Sequence, residues 1–111
     1  MKNIFITGAS RGIGFEIAKQ NLTQGNHVTA TCRNPSQAKE LNLLQIQNKE
    51  RLDIMELDVE DEDSIRLCFD KHKEKNRPID LLFNNAGVID WNDLFEVSIS
   101  SVEKIYKVNL I

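Results

Sequence analysis

The sequence contains few cysteines, few prolines and no long apolar run, and each shortage excludes a class of protein. Its two cysteines, Cys32 and Cys68, support neither a disulfide framework nor a zinc site, so we expect both to pack as small apolar residues. Two prolines, with 41% hydrophobic and 28% charged residues, leave little room for disorder. No stretch reaches the length of a membrane span, and the apolar run within residues 1–7 is too short for a signal peptide. We therefore expect a cytoplasmic globular protein with no membrane partner.

The net charge is small and its two signs are interspersed. Lysine and arginine together number 14 and aspartate and glutamate 17, which gives a net charge of -3. No basic patch indicates a nucleic acid or an anionic surface as partner. The length of 111 residues suits one small domain with a modest core. A small molecule is therefore the expected partner, and nucleic acid is not.

Residues 7–14, Thr-Gly-Ala-Ser-Arg-Gly-Ile-Gly, follow an apolar run and precede a helical pattern. A strand that ends in a glycine turn and enters a helix directs unpaired N–H groups and the positive end of the helix dipole at one point, which suits a pyrophosphate. Gly8 permits a tight turn, Gly12 leaves room for the phosphate, and Gly14 lets the helix pack closely on the sheet. The spacing differs from Gly-x-Gly-x-x-Gly and lacks the Gly-Lys-Ser/Thr of the P-loop. It predicts phosphate binding and disfavours an ATPase.

Apolar runs and amphipathic segments alternate along the chain. The runs predict four strands, at residues 3–7, 27–32, 52–57 and 79–83. Apolar residues at helical spacing predict four helices, from residue 12 to a stop at residue 25, from a cap at 34–37, after the acidic cluster 60–63, and from residue 98 or 100 onward. In the second helix Asn34 suits the N-cap, Pro35 the first position and Gln37 the third. The alternation predicts an α/β fold.

The acidic cluster at residues 60–63 has two interpretations, a metal site or the first turn of a helix. Ile65, Cys68 and Phe69 follow it at helical spacing. Acidic side chains are also favoured near the positive end of a helix dipole. We therefore expect a solvated helix start and no metal.

The alternation also predicts the order of the strands. Strand–helix–strand units form parallel sheets with right-handed crossovers, so strands two and three add on one side of strand one and strand four joins the other. This 3-2-1-4 sheet, with helices on both faces, has a switch point between strands one and four, and ligands bind beyond the carboxyl ends of strands at such a point. The glycine loop at 8–14 and the Asn-Asn-Ala-Gly of 84–87 meet there. Two motifs that are distant in sequence thus favour one nucleotide site.

Taken together, these motifs resemble the N-terminal half of a short-chain dehydrogenase/reductase. The shared motifs are the glycine loop at 7–14, the Asp-Val pair at 58–59, the Asn-Asn-Ala-Gly at 84–87, and Asn109. The resemblance implies a Rossmann-like fold, truncated before its remaining strands, and an oxidoreductase that transfers hydride between NAD(P) and a carbonyl or alcohol substrate. Residues 1–111 would then be a partial NAD(P)-binding domain that lacks its catalytic part.

The resemblance also implies roles for individual residues. Asp58 would accept a hydrogen bond from the adenine amino group, and the Val59 N–H would donate to the ring; a carboxylate that only closes a turn is the alternative for Asp58. Asn109 would hold a water that links the family's catalytic lysine to solvent. The expected cofactor-binding residues are Gly8, Ser10, Arg11, Gly12, Ile13, Gly14, Arg33, Asn34, Asp58, Val59, Asn85, Ala86 and Gly87.

The family's catalytic serine and its Tyr-x-x-x-Lys motif are absent from these residues. Tyr106 is the only tyrosine, and Leu110 stands where the lysine would be. A tyrosine acts as general acid/base when a neighbouring lysine lowers its pKa, so we expect Tyr106 to pack in the core and these residues alone to be inactive. A non-catalytic module that binds a nucleotide or a partner is the alternative. An uncovered apolar edge on strand four favours a homo-oligomer.

The end of strand two indicates the preferred cofactor. An acid there would accept bonds from the ribose hydroxyls of NAD, but Cys-Arg-Asn at 32–34 offers none. Arg33 and Arg11 could instead bracket a 2′-phosphate through planar, charge-assisted contacts, and two unengaged surface arginines are the alternative. We therefore expect NADP(H) to be preferred over NAD(H). The run at 30–35 also resembles carbonyl reductases of the sniffer and C-factor type.

Overall fold

The structure, a computed structural model, describes residues 1–85 and 105–106. Its strands are β1 (Asn3–Thr7), β2 (His27–Cys32), β3 (Leu52–Glu56), β4 (Leu81–Asn84) and β5 (Ile105–Tyr106). All neighbouring strands are parallel, and their order is β3-β2-β1-β4-β5. The predicted 3-2-1-4 order is confirmed, and the arrangement is Rossmann-like.

Helices cover both faces of the sheet. The α-helices of the described residues are α1 (Gly12–Thr23), α2 (Lys39–Gln47) and α3 (Glu62–Glu74). Side chains alternate between the two faces of a strand, so β1 contributes to two cores. Ile4 and Ile6 pack in the cluster that holds the buried residues of α1 and α2, whereas Phe5 stacks on Phe69 of α3 with ring centroids 5.0 Å apart. The two cores fix all three helices relative to the same strand.

The start of the second helix differs from the prediction. Asn34 makes no side-chain cap, residues Pro35–Gln37 form a 3₁₀ turn, and α2 begins only at Lys39. Ala38 causes the break, because its ψ of 73° lies outside the helical range. The Asn42 side chain donates to the Pro35 carbonyl at 2.8 Å and so holds the short turn against α2.

The helix predicted near the end of the chain is wrong at residues 105 and 106. Ile105 and Tyr106 form β5, which pairs in parallel with Leu82 and Phe83 of β4. β-Branched and aromatic residues suit a strand, and the edge of β4 presents backbone groups that need partners. The remainder of that predicted helix lies outside the described residues. Because β5 pairs with part of β4, the open edge behind the expected self-association is shorter, and the homo-oligomer stays a prediction.

The acidic cluster begins α3, as predicted. The Asp61 side chain is the N-cap and accepts hydrogen bonds from the backbone N–H groups of Asp63 at 3.0 Å and Ser64 at 3.4 Å. Within residues 1–85 no group of three or more His, Cys, Asp or Glu residues could hold a metal ion. No helix of the described part is long and apolar enough to cross a membrane.

Both cysteines are free, and both are buried, as expected for small apolar residues. Burial raises the pKa of the Cys32 thiol, and deeper burial raises the pKa of Cys68 to about 12. A thiol with a raised pKa stays protonated and unreactive at neutral pH. Each side chain therefore behaves as a small apolar group.

Replacing the cap of α3 tests how the acidic cluster contributes to stability. Asp61→Ala removes the acceptor of two N–H groups and should lower the free energy of unfolding by about 1 kcal/mol. Asp61→Asn keeps an oxygen acceptor without the charge and should lose only part of that amount. Urea unfolding of both variants and the parent gives the comparison. An Asp61→Ala variant as stable as the parent would show that the cap does not stabilise α3.

Candidate nucleotide-binding site

The glycine loop joins β1 to α1 and leaves the start of that helix open. Gly8 and Gly12 have φ angles of 64° and 61°, in the left-handed region that favours glycine. A Cβ added at Gly12 would meet no atom within 4 Å in the described residues, so this side of the loop faces free space. Arg11, the N-cap residue of α1, makes no side-chain cap, and the first turn holds no acid. The N–H groups and the positive dipole end of α1 are thus available to an anion.

Gly14 packs α1 tightly onto the sheet. A Cβ at this position would collide with the Gly8 carbonyl oxygen and come within 2.7 Å of Asn85 Nδ2. A backbone carbonyl cannot give way as a flexible side chain could. The close helix–sheet packing that the sequence predicted for Gly14 is present.

A buried polar network joins the ends of β1 and β4. The Thr7 hydroxyl donates to Asn84 Oδ1 at 2.9 Å and accepts from the Asn85 N–H at 3.0 Å. Asn85 also donates through Nδ2 to the Gly8 carbonyl at 3.0 Å. Thr7 and Asn84 are fully buried, so these bonds replace water that cannot reach them. The two predicted motifs therefore meet at the switch point between β1 and β4.

Sequence reasoning missed the part that the Thr7 and Asn85 side chains have in this network. It named Asn85 only as a cofactor-binding residue and gave the Thr7 side chain no role. The positions of these residues could have indicated the network, because a hydroxyl side chain ends the buried strand β1 and amide side chains end the strand predicted beside it. Thr7 and Asn84 are register partners in the parallel pair.

Three hydrogen bonds align the carboxyl ends of β1, β2 and β3. The Ala9 N–H donates to the Thr31 carbonyl at 2.9 Å, and the Thr31 hydroxyl donates to the Ile6 carbonyl at 3.0 Å. The Leu57 N–H donates to the Cys32 carbonyl at 2.8 Å. The glycine loop is therefore fixed beside the residues that follow β2.

A cavity of about 460 Å³ lies between the glycine loop and the segment that follows β2. Its lining residues are Ser10, Arg11, Cys32, Arg33, Asn34, Gln37, Ala38, Lys39 and Glu40. Both predicted arginines line it and are exposed, and within residues 1–85 neither forms an ion pair. Lys39, which the sequence analysis did not single out, adds a third cation, and Glu40 adds one carboxylate. The cavity thus has an excess of positive charge.

Asp58 and Val59 lie where β3 leads into α3. Asp58 accepts from the Glu60 N–H through Oδ1 at 3.0 Å, and its own N–H donates to the Ser64 hydroxyl at 2.8 Å. Val59 packs against the core cluster on the α3 side. Asp58 thus closes the turn, and the adenine contact stays a prediction for its second oxygen. Neither residue lines the cavity.

The remaining predicted residues divide into two groups. Ile13, in the first turn of α1, is 51% exposed and does not line the cavity. Ala86, Gly87 and Asn109 lie outside the described residues, as does the expected core packing of the Tyr106 side chain. Their roles stay predictions.

Comparison with known proteins gives consistent matches. A family model described as short chain dehydrogenase matches residues 2–111. The short-chain dehydrogenase cctT of Talaromyces islandicus is 34% identical over 112 residues, which cover 99% of this chain and 38% of that protein. The chain therefore spans well under half the length of this curated relative.

Two solved structures extend the comparison. The NADPH-bound carbonyl reductase from chicken fatty liver is 35% identical with a TM-score of 0.73, covering 79% of this chain and 35% of its own. The carbonyl reductase from Pseudomonas aeruginosa PAO1 in complex with NADP is 27% identical with a TM-score of 0.78, covering 96% and 60%. Because the family model matches nearly every residue, this chain belongs to the short-chain dehydrogenase family.

Proposed function

We propose that these residues are the cofactor-binding part of an NADP(H)-dependent oxidoreductase that acts on a carbonyl or alcohol substrate. The observation that carries the proposal is the cavity beside the uncapped start of α1, which three cations and one carboxylate line. An anion with a pyrophosphate and a separate phosphate matches both parts, the pyrophosphate at the helix start and the separate phosphate in the cavity. Carbonyl reductases bound to NADPH and NADP among the structural neighbours support the same reading.

Each part of the proposed site has a chemical task. The N–H groups at the start of α1 would receive the pyrophosphate, with Gly12 leaving the space that it needs. Arg11 and Arg33 would bind the 2′-phosphate by charge-assisted hydrogen bonds, with Lys39 adding positive charge nearby. Glu40 would oppose them and limit the preference. The network of Thr7, Asn84 and Asn85 would hold the loop in place before the cofactor arrives.

The bound cofactor would supply or accept the hydride, while the protein must move a proton. Reduction of a carbonyl needs a hydride at carbon and a proton at oxygen to give an alcohol. In this family a tyrosine beside a lysine provides the proton, and Tyr106 has no such lysine four residues on. The chain as given would bind and orient the cofactor without completing the reaction.

Arg33→Ala should reduce the preference for NADPH over NADH. Losing one hydrogen bond to a charged phosphate should weaken NADPH binding by about ten- to a hundredfold, while NADH, which has no 2′-phosphate, should bind nearly as before. Calorimetric titration with each cofactor measures both affinities. The preference should also fall as salt rises, because exposed charges are screened.

Arg66→Ala is the matched control for this experiment. Arg66 is an exposed arginine on α3, across the sheet from the cavity, so its loss removes the same charge elsewhere. It should leave the affinity ratio unchanged. An unchanged ratio in Arg33→Ala, or equal affinity of the parent for the two cofactors, would contradict the proposed phosphate site.

Gly12→Ala should abolish binding of both cofactors, and Gly25→Ala should not. Both glycines have positive φ angles, 61° and 88°, and a Cβ at either meets nothing within 4 Å in the described residues. The two variants should therefore share a similar loss of stability from backbone strain. Only the Cβ at Gly12 would occupy the space proposed for pyrophosphate. Equal effects of both variants on cofactor affinity would contradict the proposal that the glycine loop binds the pyrophosphate.

The 111-residue chain should bind NADPH without oxidising it. The expected result with a panel of aldehydes and ketones is no turnover above a buffer control, because the sequence has no tyrosine with a lysine four residues on to give the proton. Absorbance at the NADPH band, followed over time, is the measurement. Saturable, protein-dependent oxidation that survives repurification would contradict this expectation and the assignment of Tyr106.

A further inference from the structure

Two buried histidines lie at the amino-terminal end of the sheet, where the strands begin, which is the end away from the proposed nucleotide site. His27 is the first residue of β2 and is 1% exposed, whereas the cavity lies past the other end of that strand. His72 is in the last turn of α3 and is 4% exposed. The sequence contains no other histidine. Any imidazole titration of this protein therefore comes from these two rings.

The contacts of His72 fix the place of its proton. Its Nε2 lies 3.1 Å from the Arg77 carbonyl oxygen, which can only accept, so in the neutral ring Nε2 carries the proton. Its Nδ1 is buried without a hydrogen-bond partner. The ring packs edge-on against Phe5, with centroids 5.2 Å apart. A second proton would have to go onto Nδ1, at an apolar site without an acceptor.

His27 has an equally restricted environment. Its Nε2 lies 3.3 Å from Asp53 Oδ2, but these atoms are not aligned for a hydrogen bond, and Nδ1 is buried without a partner. The other oxygen of Asp53 lies 3.7 Å from Lys75 Nζ, so the carboxylate already has a cation beside it. A proton added to the buried His27 ring would bring a second cation beside Asp53.

We propose that His27, Asp53 and His72 form an acid-sensitive latch, which holds the end of α3 on the amino-terminal edge of the sheet while both imidazoles are neutral. The charged groups that face the latch are Asp53 on β3 and Lys75 and Arg77 after α3. Asp53 is the one group among them that favours a protonated ring. A charged imidazole carries a proton on both nitrogens, and the buried Nδ1 of each ring has no hydrogen-bond partner within the described residues, so protonation of either histidine leaves a buried N–H without an acceptor and releases the latch.

The pKa values of both histidines are lowered, which agrees with this geometry. Burial, the largest cause, lowers the pKa of His27, and Arg77 lowers it further while Asp53 raises it. Burial also lowers the pKa of His72, against the raising effects of its bond to the Arg77 carbonyl and of Asp53. With a folded pKa below the unfolded value of about 6.5, the unfolded chain binds more protons at mildly acidic pH. The stability from the latch is thus complete above about pH 6.5 and is lost as the pH falls towards the folded pKa values.

Urea unfolding at a series of pH values tests the latch. If both rings stay neutral in the folded state, the unfolding equilibrium constant should rise by up to about 100-fold between pH 7.5 and 5.5, about tenfold for each histidine. His27→Gln and His72→Gln keep a donor near the Nε2 position and cannot titrate, so each should remove up to about tenfold of that rise. Lys73→Gln, an exposed change on the same helix, should leave the pH dependence unaltered.

Nuclear magnetic resonance of the two imidazoles in the unaltered protein gives a second test that needs no variant to fold. We expect both folded pKa values below 6.5 and the Nε2-protonated form for His72. A pKa at or above 6.5 for both rings would overturn the proposal. So would less than about a threefold change in the unfolding constant over this pH range, or an undiminished pH dependence in both histidine variants.

Discussion

The close approach of α1 to the ends of β1 and β4 is the constraint on which the proposed nucleotide site depends. A side chain at Gly14 would collide with the Gly8 carbonyl, and Asn85 donates to that same oxygen at 3.0 Å. The helix start, the glycine loop and the end of β4 therefore have one relative position. Because Thr7 and Asn84 below them are fully buried, that position is fixed before a ligand arrives, which lowers the entropy cost of binding.

The helices α1 and α3 both start near the carboxyl ends of the strands, and their first turns differ in charge. The Asp61 side chain satisfies two N–H groups of α3, so that helix supplies its own negative partner. α1 has no side-chain cap and no acid in its first turn, and the nearby cavity has a net excess of cations. The described residues thus give α1 no negative partner, and the proposed phosphate-bearing ligand would supply one.

The parts of this structure that the sequence could predict are those that local patterns and crossover handedness decide. Strand order followed from alternating elements, and the acidic start of α3 followed from its spacing. The start of α2 could not be found in this way, because the backbone of Ala38 overrides a suitable Asn-Pro cap. Pairing of Ile105 with β4 and burial of His27 against Asp53 depend on contacts between distant segments, for which single residues give no signal.

The two ends of the parallel strands respond oppositely to charged ligands, and β2 runs from one end to the other. At its carboxyl end β2 leads into the cavity, where a bound anion would stabilise the folded chain. At its amino end lies His27, where a bound proton would destabilise it. A ligand that binds only the folded chain raises its stability by mass action, whereas protons that bind preferentially to the unfolded chain lower it. Because a small sheet unfolds as a cooperative unit, the two effects act on the same equilibrium. A bound nucleotide would therefore move the acid unfolding transition to lower pH without contacting either histidine.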